Sequence, residues 1–243
     1  MQYKDKTLSN TIALYFSSGK HRINELVRRM VMNYEDFIKL VRKRRTIRAY
    51  KTNPVDDKII NKIIEAGKWA PSGNNTQPFE IVVIKDKNII EQIEKALGQS
   101  SDPKWNERSR VPVLLVVLGD PRFCDAYPKG PVREEILHSS LAAAIENMLL
   151  ASTALGLGGS AWKTVPPYAG VKIKELLGIP QLYIVKALIP LGYPKANVKA
   201  PIKRDIEVHE NCYDITKLKS DDEIVEIIIQ YSKIKGLNKI RVF

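Results

Sequence analysis

The sequence predicts an α+β fold with few strands and several helices. Three observations carry that expectation. Helical and strand-like patterns alternate along the chain. The segment Val111–Leu118 (VPVLLVVL) is almost wholly apolar. The stretch from about Arg133 to Leu155 keeps helical periodicity throughout. No internal repeat and no low-complexity segment interrupts this pattern.

Taken in order, Asn33 precedes Tyr34, Phe37, Ile38 and Val41, an apolar stripe at helical spacing with Glu35 and Asp36 in its first turn. After the turn-like KTNP, Asp56 is a candidate N-cap for a helix carrying Ile59, Ile60, Ile63 and Ile64, which must end before Pro71. A Ser/Gly/Asn loop from Pro71 to Pro78 leads into a β-rich run, Phe79–Lys85, and then a short helix near Lys87–Leu97. Val111–Leu118 reads as a strand buried on both faces.

In the long helix that follows, Leu137, Leu141, Ala144, Met148, Ala151 and Leu155 form a seam spaced by fours and threes. That seam suits a central core helix. It equally suits packing on a partner subunit, which the small Ala142, Ala143 and Ala144 would permit. GLGG (Gly156–Gly159) breaks the chain, and SAW suggests another short strand. A helix over Tyr168–Leu177 is stopped by Gly178 and Pro180. Leu182–Leu191 is the last clear strand, and Ile224, Ile227, Ile228 and Tyr231 mark a final helix behind Asp221 and Asp222.

Composition narrows the function classes. No run of the roughly 18 apolar residues that a membrane helix needs occurs. The first residues carry only a broken apolar patch, Ile12 to Phe16, without a cleavage-like site, so no signal peptide is expected. Cys124 and Cys212 have neither CxxC spacing nor histidines in zinc-like register, so no metal is expected and a reducing cytoplasm fits. Abundant Ile, Lys and Glu with few Gln give a thermophile-like composition. The net charge of +12 comes from cations spread along the chain, with clusters at Arg42–Arg48 and Lys199–Arg204. Without an RNA-binding aromatic signature, zinc finger or basic tail, nucleic acid is not the expected partner. Two basic clusters far apart in sequence suit a shared phosphate instead.

GxGxxG after a strand, GxxxxGK[ST], HExxH and GxSxG are all missing. His21, His138 and His209 are scattered and form no ligand pattern. Three segments remain. Arg44, Arg45, Thr46 and Arg48 bring guanidinium groups and a hydroxyl within five residues, which suits a phosphate and an anionic ring. The same cations equally suit the negative end of a helix. Ala70–Pro78 (APSGNNTQP) is either a capped connection or a rigid loop whose amides fit the edge of a heterocycle. Gly156–Ser160 turns the chain, or lets backbone amides approach a ligand.

In this order and spacing, RRTIRAY, APSGNNTQPF, AAAIENMLLASTALGLGG, LIPLGYP and the basic Lys199–Arg204 stretch resemble the FMN-dependent nitroreductase family, over roughly Asn33 to His209. The departures are Thr46 for the usual Ser, Phe79 for a frequent Trp and Glu146 for a common Gln.

The resemblance implies a mixed sheet sandwiched by helices in an intertwined homodimer with two FMN sites at its interface. It implies that Arg44, Arg45, Thr46 and Arg48 hold FMN from one subunit, that Lys203 and Arg204 close on the phosphate, and that Ser72, Gly73 and Asn75 reach in from the other. Gly158, Gly159 and Ser160 would lie against the ring, and Arg48 near N1 and O2. Hydride would pass from NADH or NADPH through flavin N5 to a small electron-poor substrate, a nitroaromatic or quinone, by ping-pong turnover. Reductive dehalogenation, flavin fragmentation and a non-enzymatic flavin carrier are the alternatives.

Residues 33–212 would form the FMN-binding domain and 213–243 a C-terminal extension. Met30 and Met32 directly precede the first well-patterned helix, so for residues 1–32 a helical arm and a start-site artefact both stay open. Gln99–Arg110 would form an active-site lid, in which Trp105 and Arg108 either touch substrate or anchor the surface.

Overall fold

A computed structural model describes residues 33–98, 111–125, 130–158 and 163–231. These fall into two compact units divided between Val198 and Lys199.

In the first unit, side-chain caps start the helices where the polar pattern predicts. Asn33 accepts the Asp36 amide at 2.9 Å and opens α1 (Tyr34–Lys43). Asp56 accepts the Lys58 amide at 2.7 Å and opens α2 (Asp57–Lys68), which turns Ile60, Ile63 and Gly67 inward. β1 (Phe79–Ile84) follows, and Asp86 then caps α3 (Lys87–Ala96) through the amides of Asn88 and Ile89. After β2 (Val113–Gly119) comes α4 (Pro131–Ala154), which begins two residues before the expected Arg133 because Pro131 is preset for a first helical turn. β3 (Lys163–Thr164) and α5 (Pro167–Leu177) precede β4 (Ile184–Leu191). Gly178 ends α5 in the left-handed conformation, φ 66°.

The sheet order is β1-β2-β4-β3, and every ladder among the described residues is antiparallel. The α+β class holds; of the mixed sheet implied by the resemblance, no parallel pair falls within this region. The strand expected from Leu182 starts at Ile184, since Tyr183 donates to the Pro180 carbonyl and holds the chain in a turn. Ser160–Trp162, read as a strand, lies outside the described residues.

Alternation along β2 builds two cores. Val113, Leu115 and Val117 pack with Ile63 of α2 and with Leu137, Leu141, Ile145 and Met148 of α4. Leu114, Val116 and Leu118 face the other way, onto Ile90 and Ile93 of α3 and Ala169 and Ile173 of α5. Helices therefore cover both faces of the sheet. The α4 seam is spent inside the chain: Leu137, Leu141, Ala144 and Met148 are buried, and Ala151 and Leu155 are partly buried against the same core.

The second unit holds an extended stretch and α6 (Asp221–Tyr231). Ser220 and Glu223 form a reciprocal capping box at its start, and those hydrogen bonds hold the Glu223 carboxyl below the usual carboxylate range. Glu207 pairs with Lys219 at 3.2 Å. His209 stacks on Tyr213, with ring centroids 4.4 Å apart, and accepts the Asp214 amide. No described helix is long and apolar enough to cross a membrane.

Candidate functional site

Three stretches distant in sequence converge beside the end of α1. The Lys51 amide donates to the Tyr193 carbonyl at 2.8 Å and the Lys195 amide to the Ala49 carbonyl at 3.0 Å, so Tyr50 and Pro194 bridge antiparallel. The Gly158 amide donates to the Gly192 carbonyl at 2.8 Å. A Cβ on Gly158 would lie 2.8 Å from the Cβ of Ile47, nearer than packed carbons tolerate, so glycine is what lets this turn lie against the arginine segment. The buried Tyr50 hydroxyl donates to the Ile47 carbonyl at 2.9 Å and fixes the segment from beneath.

The arginines on that segment have separate tasks. Arg44 turns its Nε toward Glu146 Oε1 on α4, 3.4 Å away. Arg45 folds its Nη1 back onto the carbonyls of Arg42 and Arg44, closing the negative end of α1. Thr46 is half-buried. Arg48 is exposed and has no ion pair among the described residues.

The loop after α2 is braced from within. Ser72 Oγ accepts the Gln77 amide at 3.0 Å, and the Gln77 side-chain amide donates to both oxygens of Asn75 at 3.3 Å. Asn74, Asn75 and Gln77 have φ of 47°, 57° and 49°, left-handed conformations that L-residues adopt only when held. The Gly73 amide donates to Ser140 Oγ on α4 at 3.2 Å. At the loop's far end the Asp120 amide donates to the Pro78 carbonyl, while Arg122 clasps the Asp120 carboxylate and holds it below its usual range.

The arginine segment and this loop thus meet α4 at Glu146 and Ser140, roughly 9 Å apart along the helix at 1.5 Å per residue. The structure brings Arg44, Arg45, Thr46, Arg48 and Gly158 together. Ser72, Gly73 and Asn75 share the separate loop. Lys203 and Arg204 are exposed in the second unit. Gly159, Ser160, Trp105 and Arg108 lie outside the described residues.

Ser140 and Ile47 were not singled out from sequence. Ser140 carried one faint signal, a hydroxyl on the apolar face of a helix. The two histidines described in structure are engaged elsewhere, His209 as above and His138 with Lys186 Nζ at 3.1 Å; burial and that cation push the His138 ring below its usual pKa.

The donor set suits FMN. Arginines answer a phosphate, and a hydroxyl- and amide-rich loop answers a flavin edge. Arg45 Nε and Thr76 Oγ1, one in each segment, are buried side-chain atoms without a hydrogen-bond partner among the described residues.

A sequence model of the nitroreductase family matches residues 41–193. A protein of Archaeoglobus fulgidus whose name pairs NADH dehydrogenase with NAD(P)H nitroreductase is 33% identical over 165 residues, covering 66% of this chain and 87% of its own length. Iodotyrosine deiodinase 1 of Rattus norvegicus is 24% identical over 193 residues, 71% of this chain and 67% of its own. Among solved structures, an FMN-dependent nitroreductase from Clostridium difficile superposes with a TM-score of 0.60 at 26% identity, over 72% of this chain and 99% of that one.

Proposed function

The chain belongs to the nitroreductase family of oxidoreductases, and from that premise we propose that it uses FMN to carry reducing equivalents from NADH or NADPH to a small electron-poor substrate. The observation that carries this reading is the convergence of Arg44–Arg48 with Gly158 and the Gly192–Lys195 ladder, in which the Arg48 guanidinium has no ion pair among the described residues.

Bound FMN would supply hydride acceptance and donation at its N5. The chain would supply binding, orientation and charge. Arg44 and Thr46 would hold the cofactor from one subunit, with Arg45 stiffening their backbone from the helix end. Arg48 would stabilise negative charge on the pyrimidine edge. Lys203 and Arg204 would close on the phosphate, and Gly158, Gly159 and Ser160 would lie against the ring. Ser72, Gly73 and Asn75 would come from a second copy, making a homodimer the working unit. In support, α1 buries no residue within the chain and leaves Tyr34, Phe37 and Val41 exposed. Donor and acceptor would use one position in turn, so no side-chain nucleophile is required.

The similarity to iodotyrosine deiodinase supports a second reading, reductive dehalogenation with the same residues in the same tasks. Both readings require FMN. Titrating flavin-stripped protein with FMN should quench flavin fluorescence to an end point of about one FMN per chain. A protein that takes up no FMN would remove both readings.

A further inference from the structure

We infer that Ser140 is a positioning residue for the flavin site: its hydroxyl, acting through the Gly73 amide, holds the loop Ser72–Gln77 in the shape that presents Asn75. This rests on the reading that Ser72, Gly73 and Asn75 bind FMN.

The loop packs three left-handed, non-glycine residues into four positions, and such backbone persists only where its surroundings over-determine it. Its inner bonds set its curvature: Ser72 to Gln77, Gln77 to Asn75, and the Asn75 amide to the Ser72 carbonyl at 2.9 Å. None of these fixes the loop to the body of the protein. The bond from Gly73 to Ser140 does, in the same turn that carries Asn75.

Ser140 is suited to that task. It is 5% exposed, on the inner face of α4, and its Oγ donates to the Ile136 carbonyl at 2.7 Å. That commits the hydroxyl proton and aims the oxygen lone pairs, so the group accepts from Gly73 while donating to its own helix. Alanine at position 140 removes the acceptor and leaves a part-buried amide without a partner. Threonine keeps the hydroxyl.

The test is FMN binding, read by quenching of flavin fluorescence, with the thermal midpoint of each flavin-free protein measured alongside. It compares the parent chain with S140A, S140T, N75A and S140A/N75A. S140A should weaken FMN binding by about tenfold, the loss of roughly one hydrogen bond, while lowering the thermal midpoint by no more than a few degrees. S140T should recover most of that loss. In the N75A background S140A should add little, because both act through one loop. The inference is overturned if a parent that binds FMN loses nothing on S140A, or if S140A and N75A multiply independently. A loss that follows the thermal midpoint and that S140T does not recover overturns it as well. A parent that fails to bind FMN overturns the functional reading and this inference together.

Discussion

Arg48 differs from its two arginine neighbours in having nothing to hold within the described chain. Arg44 faces Glu146, and Arg45 is folded onto the end of α1. The segment's charge is thus sorted into bracing and free cation. Arg48→Ala should weaken FMN binding by about 10- to 100-fold, the worth of a charge-assisted hydrogen bond, and slow reduction by NAD(P)H; binding and rate unchanged would remove Arg48 from the site. The motif made this cluster legible, because guanidinium density within five residues is itself a chemical signal. Which arginine stays free was not legible, since that depends on Glu146, distant in sequence. Ser140 was harder still: one hydroxyl on a helix face acquires a task only once Gly73 is brought against it.

At the scale of elements, α4 joins the core to both candidate segments. Its inner face packs on β2, while Ser140 and Glu146 reach the loop and Arg44. The spacing of its apolar residues was plain in the sequence, yet spacing cannot say whose atoms fill a seam. The structure answers with the chain's own sheet. Leu141, with 0% exposure, touches the end of β2, where a Cβ on Gly119 would lie 2.7 Å from its Cδ1. Leu141→Ala should therefore cost about 2–5 kcal/mol of stability, measured as a lower urea midpoint with unchanged slope. A loss below about 1 kcal/mol would place that residue outside a packed core. The N-caps Asn33 and Asp56 and the buried strand β2 were readable because each is a local preference. The irregularity between Val117 and Leu118, where β4 skips Lys186, was not, since register is set jointly by two strands.

For the whole molecule, the first unit accounts for the family match, and the second carries the basic pair Lys203 and Arg204 with exposed Ile202, Ile206 and Val208. The fold class followed from patterning alone. The family followed from motifs in order, because patterning without chemistry would suit many α+β proteins. The central claim, a flavin enzyme that accepts electrons from a nicotinamide, is tested most directly by anaerobic absorbance titration of the FMN-loaded protein with NADH and then NADPH. The flavin band should bleach with at least one nucleotide and return when a nitroaromatic or quinone is added. A band that persists through both titrations would contradict that claim.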